Sequence, residues 1–176
     1  MVSCYCLETV TIAPLRKNSF APVADTRTRL LICGSLPGER SLAERRYYAH
    51  PQNQFWRLMS ALLDRDIAAL AYDARLAALR EAGVGLWDVV ASASRRGSTD
   101  AAIRDHAPND LAALTATLPG LRAVAFNGAT ATRLGTKALQ GAPLTLIALP
   151  SSSALHTVGL DAKLAAWMRL RKWMGS

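Results

Sequence analysis

Two kinds of hydrophobic pattern alternate along the chain. Four short apolar runs, which are typical of buried strands, lie at residues 29–34, 84–90, 123–126 and 144–149. Apolar side chains recur at helical spacing in four other segments, at residues 53–63, 72–82 and 109–118 and from about residue 160 onward. Gly83 and Pro119 follow two of these segments, and Asn109 or Asp110 can cap one of them. The pattern therefore predicts strands that alternate with helices.

Alternating strands and helices form right-handed crossovers and parallel sheets that are covered on both faces. We therefore predict an α/β fold, a three-layer α/β/α domain with a four-stranded, mostly parallel sheet. The domain is placed at residues 29–176. Residues 1–28 show no sustained hydrophobic period and are interpreted as an N-terminal extension that covers the sheet edge or is disordered. Ligands of such sheets bind beyond the carboxyl ends of the strands, so the segments after the strands form the candidate site.

The composition adds a strong positive charge to this picture. The 176 residues include 21 lysines and arginines against 13 acidic residues, which gives a net charge of +8. Such an excess favours a polyanionic partner, either nucleic acid or an anionic membrane. No apolar run reaches the length that crosses a bilayer, and the first residues lack the pattern of a secretory signal. We expect a cytoplasmic monomer with no membrane partner and no obligate protein partner.

The cysteines and histidines do not indicate a metal site. Cys4, Cys6 and Cys33 are an odd and sparse set, which favours reduced thiols over a disulfide framework. Cys4 and Cys6 could bind a metal, but without nearby partners a plain N-terminal segment is the preferred interpretation. The three histidines are not spaced from cysteines or carboxylates as metal ligands are. They are His50, His106 and His156. We expect no metal and no other cofactor.

The segment after the first strand carries the most distinctive pattern. It begins Gly34-Ser35-Leu36-Pro37-Gly38, and residues 47–56 then read Tyr-Tyr-Ala-His-Pro-Gln-Asn-Gln-Phe-Trp. The two glycines let a ligand approach the backbone closely, and the proline stiffens the turn. No Gly-Lys-Ser/Thr follows, so the turn is not a phosphate-binding P-loop.

Two later segments also follow strands. Residues 86–90 read Leu-Trp-Asp-Val-Val and lead to residues 95–100, called the basic loop here, which begin Arg95-Arg96. After the last strand, residues 149–156 read Leu-Pro-Ser-Ser-Ser-Ala-Leu-His, and residues 150–156 are called the serine loop. Small hydroxyl side chains and backbone amides suit close contact with phosphate. A serine-rich loop alone indicates little, but its position after the final strand makes it informative.

Together these segments resemble the uracil-DNA glycosylase superfamily. The Gly-x-x-Pro-Gly turn and the His-Pro-x-Asn-x-Phe-Trp string are similar to those of the mismatch-specific uracil and thymine DNA glycosylases. With Leu-Trp-Asp-Val-Val, the basic loop and Pro-Ser-Ser-Ser, the chain most closely resembles the hypoxanthine-DNA glycosylase branch, over residues 29–173. The resemblance implies a monofunctional DNA glycosylase that flips out and excises a deaminated base, hypoxanthine in particular, in base excision repair. Its partner would be DNA containing a deaminated base.

One residue departs from the pattern of the mismatch-specific enzymes. They carry an asparagine directly before the proline of the first turn, where this chain has Leu36. A leucine side chain cannot orient water or stabilise developing charge. The resemblance to the hypoxanthine branch therefore moves the catalytic role to Asn53, which would hold the attacking water. Without that resemblance, Asn53 is better interpreted as a helix N-cap.

The resemblance also assigns a pocket for the flipped base. Gly34 and Ser35 belong to its first turn, and Tyr48 would stack on one face of the base or is an ordinary boundary aromatic. Asp88 would accept a hydrogen bond from N1–H of hypoxanthine, where adenine has a bare acceptor. Alternatively, Asp88 bonds the backbone amides of its own loop. Asn127 would bond the base or its backbone, although Asn-Gly is also common turn chemistry.

Contacts to the DNA itself are expected from two loops. Leu155 and His156 are candidates for the wedge that fills the vacated stack. Arg45 and Arg46 are further candidates for phosphate contact. No lysine lies in these segments, so Schiff-base lyase chemistry is not expected. The full set of predicted DNA-binding residues in the two loops is Arg95, Arg96, Pro150, Ser151, Ser152, Ser153, Leu155 and His156.

Three other functions were weighed. The first is excision of uracil or thymine from mismatches by the same fold. The second is a catalytically silent nucleic-acid-binding module, which the missing first-turn asparagine suggests. The third, a small-molecule α/β enzyme such as a nucleotide hydrolase, is disfavoured by the charge of +8 and by the lack of acidic metal ligands.

Overall fold

The computed structural model describes residues 16–175. Their strands are β1 Arg16–Asn18, β2 Leu30–Gly34, β3 Val84–Asp88, β4 Val90–Ser94, β5 Arg104–Pro108, β6 Ala123–Asn127 and β7 Thr145–Leu149. Their α-helices are α1 Glu39–Glu44, α2 Phe55–Leu63, α3 Tyr72–Glu81, α4 Leu111–Ala116, α5 Ala129–Ala138 and α6 Leu160–Met168. Short 3₁₀ helices lie at Ile67–Ala69, Asp100–Ala102 and Arg171–Trp173. Cys4 and Cys6, weighed above as metal ligands, lie outside the described residues.

A parallel sheet of four strands, in the order β3-β2-β6-β7, forms the centre of the domain. Every residue of the two inner strands, β2 and β6, is buried. Strands that are covered on both faces need continuous apolar sequence, which is why they were recognisable as apolar runs. The predicted four-stranded parallel sheet is confirmed.

Helices cover both faces of this sheet. Successive side chains of a strand point to opposite faces, so Leu30 and Ile32 join one core and Leu31 and Cys33 join the other. The first core contains apolar residues of α2, α3 and α6, and the second contains residues of α4 and α5. The three-layer α/β/α arrangement is therefore confirmed.

A second, antiparallel sheet in the order β1-β4-β5 was not predicted. The apolar run at residues 84–90 was interpreted as one strand, but β3 ends at Asp88 and β4 begins at Val90 in the other sheet. The sequence of β5, Arg-Asp-His-Ala-Pro, is almost wholly exposed, so it shows no run of apolar positions. Its place in a sheet depends on pairing with β4 rather than on its own pattern.

Residues 16–28 pair with both sheets, although they were assigned to the extension. Arg16, Lys17 and Asn18 pair with β4, and Val23 forms a bridge to Leu86 in β3. The backbone of Val23 and Leu86 exchanges hydrogen bonds of 2.8 and 2.9 Å. We propose from these pairings that residues 16–28 belong to the domain.

The four predicted helices are present, and two more were missed. Asp110 caps α4 by accepting a hydrogen bond of 2.9 Å from the Ala113 amide. The missed helix α5 contains three threonines and a glycine, which have low helix propensity. It packs closely on β6, because a Cβ at Gly135 would lie 2.0 Å from the Phe126 ring. Close tertiary packing therefore explains this helix better than its own sequence does.

Candidate active site

The carboxyl ends of the parallel strands open into a cavity of about 480 Å³. The turn after β2, the basic loop and the serine loop form its walls. The predicted catalytic residue and most of the residues predicted to bind base or DNA lie in this lining. They are Asn53, and Gly34, Ser35, Tyr48, Asp88, Asn127, Ser151, Ser152, Ser153, Leu155 and His156. Residues that are up to 122 positions apart in the chain (156 minus 34) are thus brought together at one edge of the sheet.

Gly34 accommodates the close approach of the Asp88 side chain. Gly34 and Asp88 are register partners at the ends of β2 and β3. A Cβ at position 34 would lie 2.8 Å from Asp88 Oδ1, which is too close, and 3.5 Å from the Tyr48 hydroxyl oxygen, which is an ordinary van der Waals distance. A larger residue at position 34 would therefore displace the Asp88 carboxyl group.

Asp88 supplies a buried carboxyl group to the cavity. Its side chain is 3% exposed, and Oδ2 has no hydrogen-bond partner within residues 16–175. The alternative in which that oxygen bonds the amides of its own loop is therefore not observed. Burial raises the pKa of Asp88 to about 7, with the Arg95 cation acting against this rise and the Asp100 carboxylate adding to it. The group can change its protonation near neutral pH.

Asn127 joins the end of β6 to the serine loop. Its Nδ2 donates to Ser152 Oγ over 2.8 Å and to the Tyr48 hydroxyl over 3.3 Å, and its Oδ1 accepts from the Ser152 amide over 2.8 Å. The following Gly128 has a φ of +103°, and a Cβ there would lie 3.2 Å from Ser151 Cβ. Both residues of the Asn-Gly pair therefore have a structural role. The glycine allows the turn, and the asparagine amide bonds the serine loop.

Tyr48 has a strained backbone conformation, and its ring stacks on a neighbouring ring. Its ring stacks on Phe55 at a centroid distance of 3.7 Å and an interplanar angle of 10°. Its φ is +53°, a conformation that bulky residues rarely adopt without surrounding support. Burial raises the pKa of the hydroxyl group well above its usual range, so the phenol is neutral at physiological pH. The Tyr48 ring is thus fixed at the cavity wall.

Asn53 lies just before α2 and lines the cavity. Its Oδ1 accepts a hydrogen bond of 3.0 Å from the Phe55 amide, an Asx-turn contact, while the N-cap position itself belongs to Gln54 and has no side-chain capping bond. The side chain is half-buried and lines the cavity. The neighbouring Gln54 amide donates to Ser152 O over 2.9 Å, which places the start of α2 directly against the serine loop. The alternative interpretation of Asn53 as the helix N-cap is therefore off by one residue.

The two arginines that begin the basic loop have different environments. Arg95 is 3% exposed and donates hydrogen bonds to the carbonyl oxygens of Leu36 and Pro37. Its predicted contact with phosphate is therefore corrected: the guanidinium group holds the first turn from inside the protein. Arg96 is exposed, as are Arg45 and Arg46, and these three remain candidates for phosphate contact.

The sequence did not indicate Asp100 as a site residue. The Ser35 hydroxyl donates a hydrogen bond of 2.6 Å to Asp100 Oδ1, and both residues line the cavity. Asp100 follows a stretch of glycine, serine and threonine that has no hydrophobic period. Only the fold brings it next to the first turn.

Lys163 was also missed, and it supports the serine loop. Its Nζ donates to the carbonyl oxygens of His156 over 3.0 Å and Ser153 over 3.4 Å, and the side chain is buried. Trp167, one helical turn later in α6, donates from Nε1 to Pro150 O over 3.1 Å. The opposite side of the loop presents Leu155, which is 65% exposed. The helix therefore fixes the loop while leaving its apolar tip free.

Neither a metal-binding cluster nor a membrane-spanning helix is found in residues 16–175. This part of the chain contains no group of three or more histidine, cysteine or acidic side chains that could hold a metal ion. It also contains no helix long and apolar enough to cross a membrane.

Comparison with known proteins identifies the family. The model of the family described as the uracil DNA glycosylase superfamily matches residues 21–171. The chain belongs to this superfamily. The glycosylase is accordingly a hydrolase of N-glycosyl bonds, and the predicted family and enzyme class are confirmed.

Relatives and a solved structure agree with this assignment. A protein of Methanosarcina barkeri (strain Fusaro / DSM 804) named hypoxanthine DNA glycosylase is 41% identical over 114 residues, which are 65% of this chain and 72% of the relative. A protein of Methanosarcina acetivorans with the same name is 39% identical over 140 residues, or 80% and 88% of the two chains. A solution NMR structure from Methanosarcina acetivorans, described as a candidate uracil DNA glycosylase, is 34% identical with a TM-score of 0.82, covering 90% of this chain and 98% of that one.

Proposed function

We propose that this glycosylase excises hypoxanthine from DNA in base excision repair. The observation that carries the proposal is the buried Asp88 carboxyl group of the cavity lining, whose Oδ2 has no hydrogen-bond partner within residues 16–175. In its ionised form this carboxylate can only accept hydrogen bonds, and hypoxanthine offers N1–H where adenine has a bare nitrogen. Binding adenine would leave two acceptors facing each other, which penalises the undamaged base. The names of the two Methanosarcina relatives support the same substrate.

The base must leave the helix to reach Asp88. Extrusion costs a few kcal/mol of unstacking and unpairing, and an apolar side chain can fill the gap that remains. Leu155, exposed at the tip of the serine loop, is suited to this wedge role. The hydroxyl groups and amides of Ser151 and Ser153 would then contact the flanking phosphates. Tyr48, whose ring lines the cavity, would pack against the extruded base.

Hydrolysis requires a water molecule at the anomeric carbon of the sugar. As the base departs, the sugar gains oxocarbenium character, and a neutral amide can orient water without a metal ion. Asn53 is placed for this task, because its side chain lines the cavity while its Oδ1 is held by the Phe55 amide. No covalent intermediate is needed, so the proposed enzyme is monofunctional.

A panel of duplexes that carry inosine, uracil, xanthine or thymine tests the base preference. We expect fastest single-turnover release from inosine. Uracil deserves separate measurement because its N3–H would also satisfy an acceptor, and a rate for uracil far above that for inosine would overturn the proposal.

Asn53→Ala tests the catalytic assignment. Losing one preorganised amide at the reacting centre typically costs about 10²- to 10³-fold in rate, so a fall of about that size is expected. Asn53→Ser serves as the comparison, because serine can still accept a hydrogen bond from the Phe55 amide but has a shorter side chain and no amide group. Equal rates for wild type and Asn53→Ala would place the catalytic group elsewhere. Tight binding of lesion DNA with no excision of any base by the wild type would favour a silent binding module.

A further inference from the structure

Ser35 and Asp100 form a hydrogen-bonded pair on the cavity wall. Ser35 follows β2 directly, and Asp100 is the last residue of the basic loop. The serine hydroxyl donates to Asp100 Oδ1 over 2.6 Å, a length typical of a strong bond to a carboxylate. Both residues line the cavity that also contains Asp88. The pair is therefore in a position to act on a bound base.

The basic loop is anchored at several points, which fixes where Asp100 lies. The Ser98 hydroxyl accepts a hydrogen bond of 3.0 Å from the Glu39 amide at the start of α1. Lys17 in β1 donates to Gly97 O over 2.9 Å and forms an ion pair with Glu39. Buried Arg95 ties the beginning of the loop to the turn after β2. These contacts hold the Asp100 carboxylate beside Ser35.

The bond to Asp100 determines what Ser35 can offer to a ligand. A hydroxyl group has one hydrogen and two lone pairs, so it normally presents either a donor or an acceptor. Once its hydrogen is given to Asp100, the Ser35 oxygen can only accept. Ser35 and the ionised Asp88 carboxylate, which line the same cavity, then both present acceptors. The wall is thus complementary to a ligand that carries a hydrogen-bond donor on its ring.

We propose that Asp100 is a positioning residue that sets base specificity by fixing Ser35 as an acceptor for the ring N–H of a deaminated base. Deamination converts a bare ring nitrogen into an N–H donor, at N1 of hypoxanthine and at N3 of uracil. Adenine and cytosine present a bare acceptor at the same position and are repelled. This inference rests on the proposed function. Because hypoxanthine in DNA has a single ring N–H, Ser35 and Asp88 would share it in a three-centre hydrogen bond.

The test measures binding preference without cleavage. Two duplexes differ only at one position, which holds 2′-fluorinated deoxyinosine or 2′-fluorinated deoxyadenosine, whose glycosidic bonds resist hydrolysis. The wild type should bind the inosine duplex more tightly. Asp100→Ala should reduce this preference by about tenfold, since the freed hydroxyl can donate to adenine. Ser35→Ala should give a similar loss, and the double variant should lose little more because both changes remove one interaction.

Conservative and matched variants separate specificity from folding. Asp100→Asn should keep most of the preference, because the amide oxygen can still accept from Ser35. Asp105→Asn removes the same charge at an exposed position nearby and should leave the preference unchanged. Affinity for a duplex with an abasic site, which offers no base, should be similar for all variants. Asp100→Leu, which keeps a branched side chain but has no acceptor, replaces Asp100→Ala if the latter does not fold.

The outcomes are distinguishable. An undiminished preference for inosine in Asp100→Ala or Asp100→Leu overturns this inference and leaves the proposed function standing. Equal binding of both duplexes by the wild type, together with no release of hypoxanthine from cleavable inosine DNA, overturns the proposed function as well. A reduced preference in Asp100→Ala that Asp100→Asn restores supports the positioning role.

Discussion

At the scale of single residues, the proposed role of Asp88 requires its carboxyl group to be ionised, and the dependence of the excision rate on pH tests this. Its pKa is raised to about 7 by burial, and the proposed contact with N1–H needs the ionised form. Excision of hypoxanthine should therefore rise with pH and level off above pH 7. Between pH 5.5 and 8 the ionised fraction grows roughly 30-fold, and the single-turnover rate should follow it. Asp88→Asn should flatten the profile. A wild-type rate that is flat, or that falls with rising pH, would contradict the proposed contact.

The same residue should destabilise the folded protein at neutral pH. A carboxyl group whose folded pKa is raised favours protonation in the folded state, so the free energy of unfolding decreases as pH rises from about 4 to about 7. Asp88→Asn removes the ionisation and should stabilise the protein by about 1–3 kcal/mol at pH 8, with little effect at pH 4.5. Urea unfolding of both proteins at the two pH values measures this difference. If Asp88→Asn were less stable than the wild type at pH 8, interactions of the carboxylate in the folded protein would outweigh the cost of burying its charge.

Residues of the site differ in how far the sequence reveals them. Asn53, Tyr48 and Asp88 lie in strings whose resemblance to a family gives each a position. Arg95 and Arg96 are adjacent and chemically identical, so no sequence pattern shows that one is buried and the other exposed. Their separation arises from the path of the chain after β4.

At the scale of elements, the serine loop depends on α6 for its shape. Lys163 donates to two carbonyl oxygens of this loop from a buried position. Lys163→Met keeps the length of the side chain but leaves these acceptors without their donor, at a cost of about 1–3 kcal/mol. A loosened loop should bind lesion DNA less well, so KM should rise about tenfold while the rate at saturation changes less.

Lys172→Met is the matched control for this prediction. Lys172 is an exposed lysine of the same C-terminal region, and its loss changes the net charge equally. Protease cleavage within residues 153–158 should increase in Lys163→Met and not in Lys172→Met. Identical KM values for the two variants would mean that the charge, rather than the support of the loop, accounts for the effect.

Elements with their own hydrophobic pattern were predictable, and elements made by pairing were not. The inner strands β2 and β6 are apolar throughout because both faces are covered. In contrast, β5 is almost wholly exposed and has no apolar run, and α5 contains threonine and glycine, which have low helix propensity. Both elements are stabilised by contacts with distant parts of the chain, β5 with β4 and α5 with β6.

At the scale of the whole molecule, the excess of positive charge and the arrangement of the arginines govern how DNA is bound. The net charge of +8 is a property of the sequence, but only the fold shows which cations can reach a phosphate. Each neutralised phosphate contributes about −0.9 to the slope of log K against log salt concentration for duplex DNA. The slope therefore counts the exposed cations that contact the backbone, and a buried cation should not add to it.

Arg95 and Arg96 allow this distinction to be tested within one loop. Arg96→Ala should weaken binding to lesion and undamaged duplexes alike and reduce the slope by about 1, with the single-turnover rate at saturation nearly unchanged. Arg95→Ala should leave the slope unchanged, because its guanidinium group bonds the carbonyl oxygens of Leu36 and Pro37 inside the protein. Its cost should appear in the free energy of unfolding and in the excision rate, since the first turn and Asp88 lose their neighbouring cation. Fluorescence anisotropy titrations at several salt concentrations measure both slopes. If Arg95→Ala reduced the slope as Arg96→Ala does, Arg95 would have to turn outward when DNA binds, and the basic loop would then change its conformation during recognition.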